Sequence, residues 1–363
     1  MKVMTILGTR PEIIRLRCVI DALDASCDHL LVHTGQNFDH RLSRLFFDEL
    51  ELREPDIHMG VRADGFADQI GQIIARAGAL FAEHRPDALL VLGDTNSGLS
   101  AMVARRMGIP VFHMEAGNRC YDDSVPEEIN RRVIDHSSSV LMPYTHRSAA
   151  NLVREGIERH RVFVTGNPIK EVLDRYADRI SSATALTDLE LTAGAFMLAT
   201  VHRAETVDVE RRLRSLAASL EQVASRYGMP IVCSLHPRTA DRMKSFGVEM
   251  NGVRFVEPLG LFDFVSLEKS AFCVLSDSGT VQEECCIFGV PTVTLRDVTE
   301  RPETIECGSN VLSGVEPDAV LACVDLATRK RGGWQPPPEY LADDVSETVA
   351  RIIVGHLSAR GAA

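Results

Sequence analysis

The sequence predicts an α/β protein made of two doubly wound, parallel-sheet halves facing a cleft. Three observations carry this. Short β-branched or apolar runs alternate with longer stretches of helical periodicity along nearly the whole chain. The alternation weakens once, after Asn167, and then restarts. The polar and glycine-containing clusters follow apolar runs directly, where ligands sit in open α/β sheets. With 363 residues the chain has the length of two domains rather than one.

The elements follow in order. Residues 2–7 read as a strand, then GTRPE, then a helix to about Leu23. Residues 29–33 are the next strand and run into TGQNFD. Residues 67–84 place Ile70, Ile73, Ile74, Ala77, Leu80 and Phe81 at helical spacing. Residues 88–92 form a continuous apolar strand ending in GDTNS, with a helix beginning near Ser97. Strands at 111–113, 140–142 and 162–164 complete the first half, the last ending in TGNP. Residues 170–188 look helical and then linker-like. Strands at 196–200, 231–235, 253–256, 272–275 and 292–295 build the second half. They run into VHRAET, HPRT, EPLG, SDSGT and RDVTERPE. Residues 332–340, GGWQPPPEY, are a breaker-rich turn, and 345–357 form a final amphipathic helix. The expected boundaries are 1–168, a linker helix over 169–189, and 190–335. Parallel strands joined through helices imply right-handed crossovers.

Composition excludes several classes. Hydrophobic residues make up 45% and charged residues 25%, as in ordinary globular proteins. The formal charge of −12 argues against nucleic acid or an anionic membrane as partner. Nine cysteines, an odd number without a C-x-x-C pair, argue against a disulfide framework or a zinc site. The start is too short for a signal peptide, and no run reaches the ~20 apolar residues of a membrane span. The expected compartment is the cytoplasm.

Five clusters can carry chemistry. In LSDSGTVQEECCIFG a strand ends at Ser276 and a helix starts near Thr280. Ser278, Gly279 and Thr280 then present helix N-terminal N–H groups, a ready phosphate site, with Glu283 and Glu284 one turn in. The competing reading is an ordinary N-cap serine with favourable acids. GTRPE offers a close-approach glycine, a cation at Arg10 and a proline suited to the first helical turn. It is neither G-x-G-x-x-G nor a P-loop, which counts against dinucleotide redox chemistry and against an NTPase. His202-Arg203 and His236-Pro237-Arg238 supply cations for a diphosphate. Asp94 in GDTNS reads equally as a turn or cap residue. The stretch HMEAGNRCYDDSVPEEINRR is dense in both charges. Ser124 with Glu127 fits a capping box, whereas Glu115 leaves an apolar strand directly and has no such explanation. Carboxylates gathered in a cleft can divide acid and base duties.

Taken together, GTRPE, TGQ, GDTNS, HMEAG, VPEEINRR, VTGN, VHRAE, HP, EPL, SDSGTVQEE and TERPE, in that order, resemble the non-hydrolysing UDP-N-acetylglucosamine 2-epimerases. The resemblance covers nearly the whole chain. It implies a GT-B-type fold of two Rossmann-like domains, a homodimer, and a C-terminal helix, 341–363, packing back on the first domain. It implies C2 inversion of a UDP-linked 2-acetamido sugar by elimination of UDP to a 2-acetamidoglycal and re-addition, with no cofactor and no metal. Carried over by motif, Asp94, Glu115, Glu127 and His202 are the acid/base candidates. Arg10, His202, His236, Ser278, Gly279, Thr280 and Arg301 would meet the diphosphate, Glu284 the ribose, and Phe264 would lie near the uracil. Gln36, Asn37, Arg119, Arg131 and Arg203 are the sugar-pocket candidates. Glu128, Arg131 and Arg132 would brace the helix presenting Glu127. Two segments depart from the common pattern. TGQNFD replaces TGQH-R, which puts an activating second UDP-sugar site in doubt. EAGNRCYDD replaces an EAGLRTGD-type loop. Both look like the subgroup acting on modified sugars, the UDP-N-acetyl-L-fucosamine type or the UDP-2,3-diacetamido-glucuronate type. The alternatives are a UDP-GlcNAc 2-epimerase proper and a hydrolysing epimerase that releases UDP.

Overall fold

The computed structural model describes residues 1–36, 40–63, 65–329 and 331–361. The chain divides into two units, Met1–Arg175 with Glu339–Ala363, and Tyr176–Pro338. In the first, β1 (Lys2–Leu7), β2 (Asp28–His33), β3 (Ile57–His58), β4 (Ala88–Leu92), β5 (Val111–Met114) and β6 (Val140–Met142) form one parallel sheet. Its strand order is β3-β2-β1-β4-β5-β6. The second holds β7 (Met197–Thr200), β8 (Ile231–Ser234), β9 (Val253–Val256), β10 (Cys273–Ser276), β11 (Thr292–Thr294) and β12 (Asn310–Leu312), in the order β12-β11-β10-β7-β8-β9. Counted within each unit, both sheets run 3-2-1-4-5-6. The chain reverses direction of travel between β1 and β4, and again between β7 and β10. Ligands of such sheets bind at those points, beyond the carboxyl ends of the strands.

The sequence explains why these strands are central. All five residues of β4 are buried, as in β5 and β7, because helices cover both faces of a parallel sheet. Met4, Ile6, Leu89, Val91 and Val111 pack with Ile73, Ala77 and Phe81 of the helix Phe66–His84, which thus buries the stripe its spacing foretold. The helix Arg10–Ser26 starts at an N-cap Thr9 with Pro11 in its first turn and Glu12 closing a capping box. It packs against the terminal helix Val345–Gly361. In the second unit Met197, Ala199, Ile231, Cys273, Leu275 and Val293 share a core with Leu213, Leu216, Leu220 and Val320 of the covering helices.

Three expectations are corrected. Residues 162–164 make one isolated bridge, Leu141 to Val162, not a strand. Two of the four edge strands, β3 and β12, are two and three residues long and were not read from the sequence. Residues 169–189 are three short helices, Ile169–Arg175, Ala177–Ser181 and Ala185–Asp188, divided between the units rather than forming one linker helix. Among the described residues no helix is long and apolar enough to cross a membrane.

Candidate active site

In the first unit, β1 delivers Gly8 to the switch point. A Cβ there would overlap Thr34 Oγ1 and come within 3.1 Å of the Gln36 side chain, so glycine alone lets GTRPE close onto TGQ. Gln36 is buried, and its carbonyl accepts from Gln69 Nε2 at 3.3 Å. Gln69 Oε1 in turn accepts from Asn96 Nδ2 at 2.7 Å, tying TGQ to GDTNS. Asn37, with Phe38 and Asp39, lies outside the described residues. Arg10 is exposed at the helix start, its guanidinium 5.5 Å from the Phe46 ring centroid.

Glu12 was not read from the sequence as part of a site. Its Oε2 accepts from Gly8 N–H (3.0 Å), Thr9 N–H (2.8 Å) and the Thr9 hydroxyl (2.8 Å), and its Oε1 from the Ser97 hydroxyl (2.5 Å). Burial pushes this carboxyl up to about 7 against the four donors, which favour the anion. Glu12 thereby joins the turns after β1 and β4.

Asp94 stands in the turn after β4. Arg131 grips it in a two-nitrogen clasp, Nε at 2.8 Å and Nη2 at 2.6 Å, while 21% of the Asp94 side chain stays exposed. Glu115 leaves β5 with φ +62°, a left-handed backbone unusual for a side chain of this size. That turn aims its carboxylate at Arg15, whose Nη1 donates to Oε2 at 2.7 Å, while Asn118 Nδ2 donates to Oε1 at 3.2 Å. Arg15 is 1% exposed and Glu115 8%, a buried pair. A Cβ on Gly93 would lie 3.7 Å from Glu115 Oε2, so the Asp94 and Glu115 turns are neighbours.

Glu127 is half-buried on the helix Pro126–Ser137. The capping-box reading fails here. The N-cap is Val125, and Ser124 bonds to Asp122 Oδ1 through both its N–H and its hydroxyl. Glu128, fully buried, accepts from the N–H groups of Cys120 (3.0 Å) and Tyr121 (3.1 Å) and pairs with Arg131 (2.9 Å) and Arg132 (3.2 Å). Arg131 therefore links Glu128 to Asp94 instead of lining an open pocket. Arg119 also departs from expectation. Its enclosed guanidinium binds Asp135 at 2.8 Å and Glu155 at 2.6 Å, behind the loop it was expected to furnish. His113 completes this inner network, Nδ1 at 2.9 Å from Asp135 and Nε2 at 2.8 Å from the Gly93 carbonyl. Burial raises the Asp135 carboxyl, but His113 and Arg119 outweigh it and hold the group below its ordinary value.

In the second unit, His202 follows β7 and Asp277 follows β10, on either side of the switch point. Asp277 is fully buried. It accepts from the N–H groups of His202 (2.7 Å) and Arg203 (2.8 Å), and its Oδ1 lies 3.1 Å from His202 Nδ1. Burial opposes its ionisation, but the His202 ring and the two N–H groups prevail and lower its pKa. In the neutral His202 ring, Nδ1–H then faces Asp277 and Nε2 keeps its lone pair. The His236 ring is 5.5 Å away, and its Nδ1 accepts from Arg238 N–H at 3.2 Å, which puts the hydrogen of the neutral ring on Nε2.

Ser278 is the N-cap of the helix Gly279–Phe288 but gives it no side-chain cap; its hydroxyl pairs with that of Thr280 at 3.0 Å. The first turn carries no acid. The ordinary-cap reading therefore fails, and an uncapped N-terminus is suited to an anion. A Cβ on Gly279 would lie 2.8 Å from Glu300 Oε1, so glycine is needed for the loop 299–301 to pack on this end. Arg203 sits 3.7 Å from Glu300, and Arg301 pairs with Glu283 at 2.5 Å. Glu284 is buried one turn in, and Phe264 is half-buried against Val274 and Val281. Among the described residues no group of three or more His, Cys, Asp or Glu is arranged to hold a metal.

Residues 21–354 match the family described as UDP-N-acetylglucosamine 2-epimerase. The chain belongs to that family. This UDP-sugar 2-epimerase is 38% identical over 347 residues to the UDP-N-acetylglucosamine 2-epimerase of Methanocaldococcus jannaschii, covering 93% of this chain and 95% of the other. It is 34% identical to the UDP-2,3-diacetamido-2,3-dideoxy-D-glucuronate 2-epimerase of Pseudomonas aeruginosa, over 88% of this chain and 90% of that one. The crystal structure of the Methanocaldococcus jannaschii enzyme in complex with UDP-GlcNAc and UDP matches it with a TM-score of 0.92 at 36% identity, over 98% of this chain and 99% of that chain. The epimerase is an isomerase acting on UDP-sugars, built of two Rossmann-like domains of the GT-B type.

Proposed function

We propose that the protein inverts C2 of a UDP-linked 2-acetamido sugar by elimination and re-addition of UDP. The reading gives the proton chemistry to the first unit and the leaving nucleotide to the second. One observation carries it: the first unit's strand ends hold two carboxylates, Asp94 and Glu115, in adjoining turns and each gripped by one arginine. No carbonyl acidifies the C2 proton, so its removal needs a fixed base acting as UDP departs. Asp94, Glu115 and Glu127 supply the acid and base for the two faces of C2. His202, His236, Arg10 and the helix end Ser278–Thr280 meet the diphosphate and stabilise the charge it gains on leaving. Glu284 takes the ribose hydroxyls. No cofactor enters this chemistry.

Incubation in D₂O with UDP-2-acetamido sugars should place deuterium at C2 of both epimers. Absence of exchange with UDP-GlcNAc, with a 6-deoxy-L-talosamine type and with a diacetamido-uronate type would overturn the reaction. Stoichiometric release of free UDP would replace it with the hydrolysing one. For the sugar, two readings stand side by side in one assay. The Methanocaldococcus jannaschii relative favours UDP-GlcNAc. The sequence of the loop 118–123 favours a substituted sugar. We also place the enzyme in the cytoplasm as a homodimer; nine free thiols suit a reducing compartment, and light scattering measures the mass.

A further inference from the structure

The epimerisation uses none of the nine cysteines, yet two of them lie side by side. Cys286 Sγ and Cys307 Sγ are 3.6 Å apart. Cys286 is fully buried near the far end of the helix Gly279–Phe288. Cys307 directly follows the helix Pro302–Glu306, half-exposed, its sulfur 3.4 Å from the Thr304 carbonyl and 3.4 Å from Ser309 Oγ. The pairing with Cys286 lowers the Cys307 thiol below its ordinary value against the effect of burial, and the same pairing pushes Cys286 up. Cys285, next in the chain, is enclosed in apolar core, and burial holds its thiol protonated. An accessible sulfur therefore stands beside a second one that oxidant cannot reach directly, the arrangement of an attacking and a resolving thiol.

We propose that Cys286 and Cys307 form a redox-sensitive dithiol that hydrogen peroxide, a two-electron oxidant, converts to an intramolecular disulfide. The Cys307 sulfur attacks the peroxide. An S–O bond forms, the O–O bond breaks, and the distal oxygen leaves as water after taking a proton. Cys286 then attacks the sulfenic sulfur. The S–S bond forms, the S–O bond breaks, and the oxygen leaves as a second water carrying the Cys286 proton. Two thiols and one peroxide give one disulfide and two waters.

The sulfurs must close by about 1.5 Å to reach the ~2.05 Å of a disulfide. That draws together the ends of two helices whose other ends carry Gly279 and Thr280 in one case and Arg301 in the other. Oxidation therefore reaches the nucleotide residues. This consequence rests on the nucleotide reading above; the bond itself does not. Trp334, the single tryptophan, donates from Nε1 to the Cys286 carbonyl at 3.0 Å and reports on the pair.

The test treats the reduced full-length protein with hydrogen peroxide, followed by peptide mapping, tryptophan fluorescence and UDP titration. The expected result is one linked peptide pair, Cys286 with Cys307, and a Trp334 emission shift that dithiothreitol reverses. Cys307→Ser should show neither, while Cys286→Ala should leave a dimedone-reactive sulfenic acid at Cys307. Prior oxidation of Cys27, Cys120 or Cys323 with Cys307 still reduced overturns the proposal, as does linkage of Cys307 to any other thiol. A linked pair with unchanged UDP affinity supports the dithiol and overturns its coupling to the nucleotide.

Discussion

Asp94 and Asp277 occupy matching places in two sheets of the same strand order, just past the fourth strand of each unit. Asp94 keeps an exposed edge and is held by a side chain, Arg131. Asp277 has no exposed surface; two backbone N–H groups donate to its Oδ2, and its Oδ1 faces the His202 ring. Under the proposed chemistry the first exchanges a proton with a bound molecule and the second holds its neighbour. The neighbours differ likewise: the first unit gathers carboxylates at its switch point, the second a histidine pair and an uncapped helix end. Topology chooses where a site lies; the solvent left to each acid decides what the site does.

The comparison breaks first at the two arginine-held carboxylates. Glu115→Gln and Asp94→Asn should each lower kcat by roughly 10²–10⁴-fold while UDP affinity, measured calorimetrically, stays near that of the parent. Retained turnover in either variant would remove the proton chemistry from this unit. Next comes the arginine that holds Glu115. Arg15→Met strands a buried carboxylate and should cost about 3 kcal/mol of stability, read as a lower denaturation midpoint, together with lost turnover.

Glu12 gives a third, pH-dependent test. From its ordinary value of 4.5 up to about 7, the folded protein holds a proton that the unfolded chain has released. Its contribution to stability is therefore full below the lower value and lost as pH rises through the upper one. Glu12→Gln should flatten that part of a melting-temperature profile. The smallest effect belongs to the closed acid. Asp277→Asn should weaken UDP binding about tenfold by loosening His202, with the altered turnover restored at higher substrate. Abolished turnover with intact UDP binding would make Asp277 resemble Asp94 and end the distinction.

The sequence shows the central strands and the motifs at their ends, because both are local: an apolar run, then a glycine or a small polar residue. The edge strands β3 and β12, of two and three residues, carry no period and stay hidden. The candidate carboxylates are legible, but their partners are not. Arg15 lies 100 residues from Glu115, and Asp277 lies 75 from His202. Such pairs exist only once β1 adjoins β4, and β7 adjoins β10. Glu12 is hidden for a different reason. In sequence it is an unremarkable first-turn acid, and only the approach of Ser97 shows that it joins two turns. Arg119 misleads in the opposite way, since its place in a polar loop gives no sign that its guanidinium points inward to Asp135.

The left-handed backbone at Glu115 has a consequence for the protein's history under heat. Such a conformation in a non-glycine residue costs on the order of 1 kcal/mol or more, and glycine and asparagine tolerate it best. Glu115→Asn would relieve that strain and, on the proposed chemistry, remove a reacting carboxylate. Endurance and catalysis thus pull in opposite directions at a single dihedral angle, and a thermostabilised variant of this enzyme should take its gains from other positions.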